Sequence, residues 1–125
     1  MGSADGILCR KQKIIDPTNY ILSGKDFIMK TLGIVTEYNP FHKGHAYMIA
    51  EAKKKANADR VVVVMSGSFV QRGEPAIFDK WTRTEAALLN GVDLVLELPV
   101  LFAASNAETF ARSAVRILEE SGIVD

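Results

Sequence analysis

The sequence predicts an α/β fold, a doubly wound parallel sheet with helices on both faces, and three observations carry that expectation. Short, largely apolar runs recur at residues 32–36, 61–65 and 93–98, the second of them the unbroken Val61-Val62-Val63-Val64-Met65 expected of a strand buried on both faces. Segments with helical spacing separate these runs. Each run ends near turn chemistry: Asn39-Pro40, Ser66-Gly67-Ser68 and Pro99. Strands that alternate with helices are joined by right-handed crossovers, which makes the sheet parallel.

The elements follow in order. Residues 1–30 show no sustained strand or helix period and read as an N-terminal extension, a tag or leader, with Met29 as a natural start just before the first strand. The other reading is an arm in which Ile14-Ile15 and Tyr20-Ile21-Leu22 pack on the domain. From Thr31, a strand at 32–36 leads through a turn at 37–41 into a helix at 42–56, whose Lys53-Lys54-Lys55 suits the negative end of the helix dipole. After the second strand and a long loop, residues 78–90 read as a helix stopped by Gly91. Following the strand at 93–98, Ser105-Asn106-Ala107-Glu108 has the Ser-x-x-Glu spacing of a capping box. The third helix is therefore expected to open on Ser105, run to about Glu120 and stop at Gly122. Ile123-Val124 is expected to begin a fourth strand, so residues 31–125 read as the N-terminal portion of one domain, cut after its third βα unit.

Composition narrows the function. At 125 residues and 48% hydrophobic content, the chain is one domain's worth of material. Fifteen basic and fifteen acidic side chains cancel, so nucleic acid would have to be met by a local patch. Cys9 is the single cysteine, which excludes an intramolecular disulfide and a cysteine zinc site and suits a reducing compartment. No apolar run approaches the roughly 20 residues of a membrane span, and Ile7-Leu8-Cys9 is too short for a secretory signal. A cytoplasmic protein is expected.

In a doubly wound sheet, ligands bind outside the carboxyl ends of the strands. The 37–45 turn, the 66–76 loop and the segment after Leu98 should converge there. His42-Lys43-Gly44-His45 sits where the first strand turns into a helix, whose free N–H groups and dipole favour an anion, and Gly44 lets the backbone approach it. Alone, this motif also fits two solvent-facing helix residues. In context, Val35, Thr36, Glu37, Tyr38, Asn39, Pro40, Phe41, His42, Lys43, Gly44 and His45 form the candidate nucleotide cradle. His42 and His45 are the candidate catalytic residues, as N–H donors to developing phosphate charge. Phe41 reads equally as an adenosine contact or a core aromatic, and Asn39 as a contact or a turn former.

Ser66, Arg72, Lys80 and Arg83 are candidate substrate or phosphate contacts. Arg72 shares its loop with Gly73 and Glu74, which closes over a ligand or holds a surface Arg72–Glu74 pair. Lys80 and Arg83 share one helical face, reaching an anion or forming the wet side of the helix. Trp81 reads as a core residue in preference to a base-stacking platform. Glu97, inside an apolar strand near its carboxyl end, would be costly to bury unless paired with a cation or metal, and reads as a structural residue in preference to a site residue. No metal ligand is assigned.

The strings Glu37-Tyr38-Asn39-Pro40-Phe41-His42-Lys43-Gly44-His45, Ser66-Gly67-Ser68-Phe69-Val70-Gln71-Arg72-Gly73-Glu74-Pro75-Ala76, Lys80-Trp81-x-Arg83-Thr84 and Leu94-Val95-Leu96-Glu97-Leu98-Pro99 together closely resemble the bacterial tRNA(Met) cytidine acetate ligase family. The likeness runs from about Met29 to Asp125 and departs at Lys43, where the family pattern often carries Asn. It implies a Rossmann-like nucleotidylyltransferase fold that binds ATP, with Mg2+ expected alongside the phosphates. It also implies that ATP and acetate give acetyl-adenylate and pyrophosphate, and that the acetyl group passes to N4 of the wobble cytidine of elongator tRNA(Met). Most tRNA contacts are expected beyond this chain. Two other readings stand: an adenylyltransferase building a nicotinamide or pantetheine cofactor, against which the Gln71–Pro75 loop argues, and a catalytically silent nucleotide-binding module.

Overall fold

A computed structural model describes residues 7–13 and 28–125. Its sheet has four strands in the spatial order β1 (Ile7–Lys13), β2 (Ile28–Thr36), β3 (Arg60–Ser66) and β4 (Leu94–Leu98). The last three are parallel, with Ile34 beside Val63 and Val63 beside Val95, while β1 runs antiparallel along the outer edge of β2. Helix α1 (Lys43–Ala56) joins β2 to β3, α2 (Lys80–Leu89) joins β3 to β4, and α3 (Val100–Ala103) and α4 (Ala107–Ser121) follow. The expected parallel α/β sheet is present.

Alternation along the strands divides the core into two layers. Leu32, Ile34, Val61, Val63 and Met65 pack with Ile49 of α1 and Ala87 of α2 on one face. Val35, Val62, Val64 and Leu98 pack with Phe110, Ala114 and Leu118 of α4 on the other. The unbroken apolar run of β3 is thus buried on both sides, as its composition requires. Gly33 lets α4 lie close: a Cβ there would stand 2.9 Å from the Leu118 side chain and 3.1 Å from Val124.

One device repeats at the amino ends of the strands. An aspartate gives its backbone N–H to a carbonyl of the neighbouring strand and takes the N–H of the same residue on its carboxylate. Asp59 does this to Lys30 at 2.7 and 2.8 Å, and Asp93 to Val61 at 2.8 and 2.7 Å. Asp125 does the same to Thr31 at 3.1 and 2.6 Å. Each clamp fixes the register in which the chain enters the sheet and satisfies a backbone donor at its edge.

Four expectations are corrected. Strand β2 begins at Ile28, so Met29 lies inside it, because β1 on one side and the Asp59 clamp on the other supply partners further back. The helix opening on Ser105 is capped one residue later, where Asn106 Oδ1 accepts the Thr109 N–H at 2.8 Å. Ser105 instead donates its hydroxyl to the Phe102 carbonyl, closing the unexpected one-turn helix α3 that Pro99 starts. Ile123-Val124 is not a strand, although Asp125 already bonds to β2. Within the stretch read as an extension, β1 pairs with the sheet, while Ile14-Ile15 and Tyr20-Ile21-Leu22 lie outside the described residues.

The clamps make a direct expectation. Asp93→Ala removes a charge-assisted hydrogen bond to a strand N–H and should lower unfolding free energy by roughly 1.5 kcal/mol. Urea denaturation should show a lower midpoint with an unchanged slope; an unchanged midpoint would mean that the clamp contributes nothing to stability.

Candidate functional site

Helix α1 is capped by histidines. His42, in extended conformation at the N-cap, accepts the Gly44 N–H on Nδ1 at 3.1 Å, and His45 Nδ1 accepts the His42 N–H at 3.2 Å. This is a reciprocal capping box built from imidazoles. The rings stack with centroids 3.7 Å apart and planes 21° from parallel. A ring nitrogen that accepts a hydrogen bond carries no proton, so each neutral imidazole holds its proton on Nε2, the tautomer that gives an anion a donor. Gly44 is dictated by the same geometry: a Cβ there would stand 2.9 Å from His42 Cε1 and 3.0 Å from Nδ1. No acidic side chain lies in the first turn of α1, so nothing on it opposes a bound anion.

The turn before these histidines is fastened from below. Tyr38 is buried at a left-handed φ of 48°, with its ring edge-on to Phe41 at 4.8 Å and to His45 at 4.9 Å. Phe41 is half-buried, packed on the core and 5.6 Å from the His45 ring. Glu37 Oε1 accepts the Gln71 N–H at 2.9 Å, and Asn39 Oδ1 accepts the Ile77 N–H at 2.7 Å. Both side chains thereby tie the turn to the 66–77 loop. Val35 and Thr36 are buried at the end of β2, whereas Pro40 and Lys43 are exposed.

Arg83 lies elsewhere than on a wet helix face. Only 1% exposed, it donates from Nε to the Phe78 carbonyl at 3.0 Å and from Nη1 to the carbonyls of Glu37 at 2.8 Å and Ser66 at 3.0 Å. Nη2 donates to the Gly67 carbonyl. The guanidinium therefore binds backbone, not an external anion. Burial pushes its pKa down, opposed by the carboxylates of Glu37, Asp79 and Glu97.

Its helix neighbours are placed accordingly. Trp81, about 200° around the helix from Arg83, is 73% exposed and not a core residue. Lys80 Nζ reaches Glu97 Oε2 at 2.7 Å and lies 5.4 Å from the Trp81 ring centroid. Glu97 is paired with this cation but not buried, its side chain 51% exposed, because β4 is an edge strand whose carboxyl end opens beside the start of α2. Ser66 is fully buried, and its Oγ has no hydrogen-bond partner. It lines a cavity of about 240 Å³ with Met65, Lys80, Trp81, Thr84, Val95 and Glu97.

Arg72 is exposed at a left-handed φ of 63°, and its N–H donates to the Ser105 carbonyl at 3.1 Å. Among the described residues no ion pair joins it to Glu74, whose carbonyl instead accepts the Val70 N–H at 2.8 Å. Asp79 is the residue that sequence reasoning missed. Its Oδ1 accepts the N–H groups of Trp81 and Thr82, both at 2.9 Å, and Oδ2 accepts the Thr82 hydroxyl at 2.7 Å. The signal was Asp three residues before Thr at a helix start. Hydrogen bonds from the Thr82 backbone and hydroxyl hold its carboxyl below the ordinary 3.8. Among the described residues, no three His, Cys, Asp or Glu side chains converge as a metal cage, and no helix is long and apolar enough to cross a membrane.

A parallel α/β sheet with a His-x-Gly-His helix start at the carboxyl end of β2 defines a nucleotidyl transferase architecture. Residues 29–125 match the HIGH Nucleotidyl Transferase family, and the chain belongs to it. Within that family it is 60% identical over 97 residues to the tRNA(Met) cytidine acetate ligase of Leuconostoc citreum, covering 78% of this chain and 24% of that protein. It is 61% identical over 97 residues to the ligase of the same name from Acetivibrio thermocellus, with 78% and 23% coverage. The solved structure of Thermotoga maritima TmcAL bound with alpha-thio ATP superposes with a TM-score of 0.74 at 54% identity, covering 77% of this chain and 23% of that one. The chain spans about a quarter of the length of the curated relatives it matches.

Two outcomes follow from this geometry. Arg83→Lys keeps the charge but loses the planar fork, leaving buried carbonyls unpaired, and should cost about 3 kcal/mol in denaturant unfolding; a loss below about 1 kcal/mol would mean that the carbonyls find other partners. For Asp79, the folded pKa lies below the unfolded value, so its contribution is fully present above the ordinary 3.8 and fades as pH falls through the lowered value. The difference in Tm between the natural chain and Asp79→Ala should therefore be constant near neutrality and shrink on acidification below 3.8. A difference independent of pH would assign the effect to something other than the cap.

Proposed function

We propose that this chain carries the ATP-binding part of a tRNA(Met) cytidine acetate ligase, which activates acetate as acetyl-adenylate and passes the acetyl group to N4 of the wobble cytidine of elongator tRNA(Met). The observation that carries the reading is the imidazole capping box at the start of α1, with Nδ1 of both rings accepting from the backbone and no acidic side chain in the first turn. Identity of 60% to a named ligase and the superposed TmcAL bound with alpha-thio ATP support it.

In this reading a carboxylate oxygen of acetate attacks the α-phosphorus of ATP in line. The bond to the bridging oxygen breaks, and pyrophosphate leaves with the electron pair. Charge grows on the nonbridging and departing oxygens, where His42 and His45 donate hydrogen bonds and the positive end of α1 adds its field. Neither histidine needs to gain or lose a proton. Residues Val35 to His45 form the cradle, Lys43 adds an exposed cation beside it, and Arg72 presents another from the adjoining loop. Mg2+, if bound with the ATP phosphates, would supply further charge neutralisation there, and no residue of this chain is assigned to hold it. In the second step N4 of cytidine forms a bond to the acetyl carbon, the acyl C–O bond to phosphate breaks with AMP leaving with the electron pair, and the N4 proton is released to solvent. The reading places the protein in the cytoplasm, where ATP and tRNA are.

The test is ATP–pyrophosphate exchange with and without acetate, on this chain alone and with the unmatched remainder of the Leuconostoc citreum ligase supplied. Acetate-dependent exchange is expected in one or both, and His45→Ala should reduce it at least about 100-fold while the far-ultraviolet spectrum stays native. Exchange that ignores acetate would favour another adenylyltransferase, and an unaffected His45→Ala would remove the histidine pair from the chemistry.

A further inference from the structure

We propose that the cavity between the carboxyl ends of β3 and β4 and the first turn of α2 receives the pyrimidine ring of a cytosine, with Glu97 accepting from its exocyclic amine and Trp81 against its face. The cavity of about 240 Å³ has room for a single small ring, and Met65, Val95 and Thr84 line it beside the groups named above. Its polar groups are of three kinds. Glu97 is an acceptor, Lys80 a donor, and the Ser66 hydroxyl is a fully buried group with no partner of its own. A buried hydroxyl without a partner is costly, and a ligand atom in the cavity supplies one.

The charges discriminate between ligand classes. Lys80 and Glu97 are already paired at 2.7 Å, so the cavity offers no surplus positive charge, and a simple anion such as acetate or phosphate would have to displace the carboxylate. A neutral ring that carries an amine next to acceptor atoms satisfies all three groups together: the amine donates to Glu97, and ring nitrogen and carbonyl accept from Lys80 and Ser66. Carboxylates accept from cytosine N4 in this manner, whereas uracil presents a carbonyl at that position. Trp81, 73% exposed on the cavity wall, supplies a flat surface for base stacking.

The backbone is shaped for this arrangement. A Cβ on Gly67 would overlap the Glu97 carboxylate, so glycine is what allows Glu97 to lie across the end of β3. The carbonyls of Ser66 and Gly67 are held by Arg83, which also holds the Glu37 carbonyl before the histidine turn. Cavity and phosphate end are thereby fixed to one another. The pocket chemistry selects a planar, amine-bearing ring; the choice of cytosine among such rings rests on the function proposed above.

Trp81 is the single tryptophan of the chain, so its emission reports on this cavity directly. The protein is titrated in parallel with cytidine, uridine, adenosine and sodium acetate, with excitation at the red edge of the indole band. A saturable change with cytidine is expected, with uridine at least about tenfold weaker and acetate without effect. Glu97→Gln, whose amide both donates and accepts, should bring cytidine and uridine to equal affinity. If that variant fails to fold by circular dichroism, Glu97→Asp, which shortens the reach, should weaken cytidine selectively. Equal responses to the two pyrimidine nucleosides, a response to adenosine or acetate in place of cytidine, no saturable response to cytidine, or a preference that survives both variants would each overturn the proposal. Cytidine selectivity without acetate-dependent exchange would sink the ligase reading and keep the pocket, and the reverse would sink the pocket alone.

Discussion

Arg83 holds three segments of chain by their carbonyls: Glu37 before the histidine turn, Ser66 and Gly67 at the end of β3, and Phe78 before α2. Parallel strands that stop side by side leave carbonyls pointing into the opening where a ligand enters, and a buried carbonyl without a donor is costly. One planar cation with five N–H groups in a fixed fork meets that need, which an ammonium on a flexible stem does not. The carboxylates of Glu37, Asp79 and Glu97 around it oppose the effect of its burial in part. The site is consequently a set of loops fixed to a common centre, and Glu37 and Asn39 add side-chain ties between the same segments. Preorganisation of this kind is what electrostatic stabilisation of a transition state requires.

The caps of the three long helices show how the sequence distributes charge. Helix α2 uses Asp79 and α4 uses Asn106, both ordinary N-cap residues. Helix α1 uses two imidazoles instead. A carboxylate in that position would satisfy the same backbone N–H groups while repelling an anion at the very end of the helix that attracts one. Imidazoles accept from the backbone through Nδ1 and leave Nε2 on the far side of the ring, so that in the proposed reaction one residue type serves both capping and phosphate contact. The glycine of the motif is explained without reference to flexibility, since its hydrogen leaves the space that the folded-back His42 ring occupies.

Much of this was legible in the sequence because periodicity and local rules decide it. The Val61–Met65 run, the glycine stop after α4 and the helix start beside His42 depend on neighbours within one or two turns, and they appear where expected. Several of the corrections involve partners far along the chain. Arg83 and Lys80 have the same spacing on any helix, but only the fold decides that the former meets the ends of two strands while the latter reaches Glu97. Trp81 reads as core by residue type, yet Arg83 and Ala87 take the inward face of α2 and turn it out. Glu97 sits in an apolar run, yet β4 is an edge strand that leaves it half exposed. Ser105 and Asn106 compete for one cap, and the extra turn of α3 gives it to Asn106 by using the Ser105 hydroxyl first.

The two ends of the site differ in kind, and the difference follows from where each charge sits. At α1, the positive end of the helix dipole and two imidazole rings whose Nδ1 atoms face the backbone suit an anion, with no acid in the first turn. At the start of α2, Lys80 is already balanced by Glu97, and the Asp79 cap adds a second carboxylate to the same turn. In the proposed reaction a phosphate is therefore suited to the first end and discouraged from the second, while a neutral ring with donors and acceptors is suited to the second and gains nothing at the first. Because Arg83 joins the two through backbone carbonyls alone, this separation does not depend on any side chain that a ligand would displace. In the proposed reaction, such a division keeps the charged nucleotide and the neutral acceptor base from competing for one place.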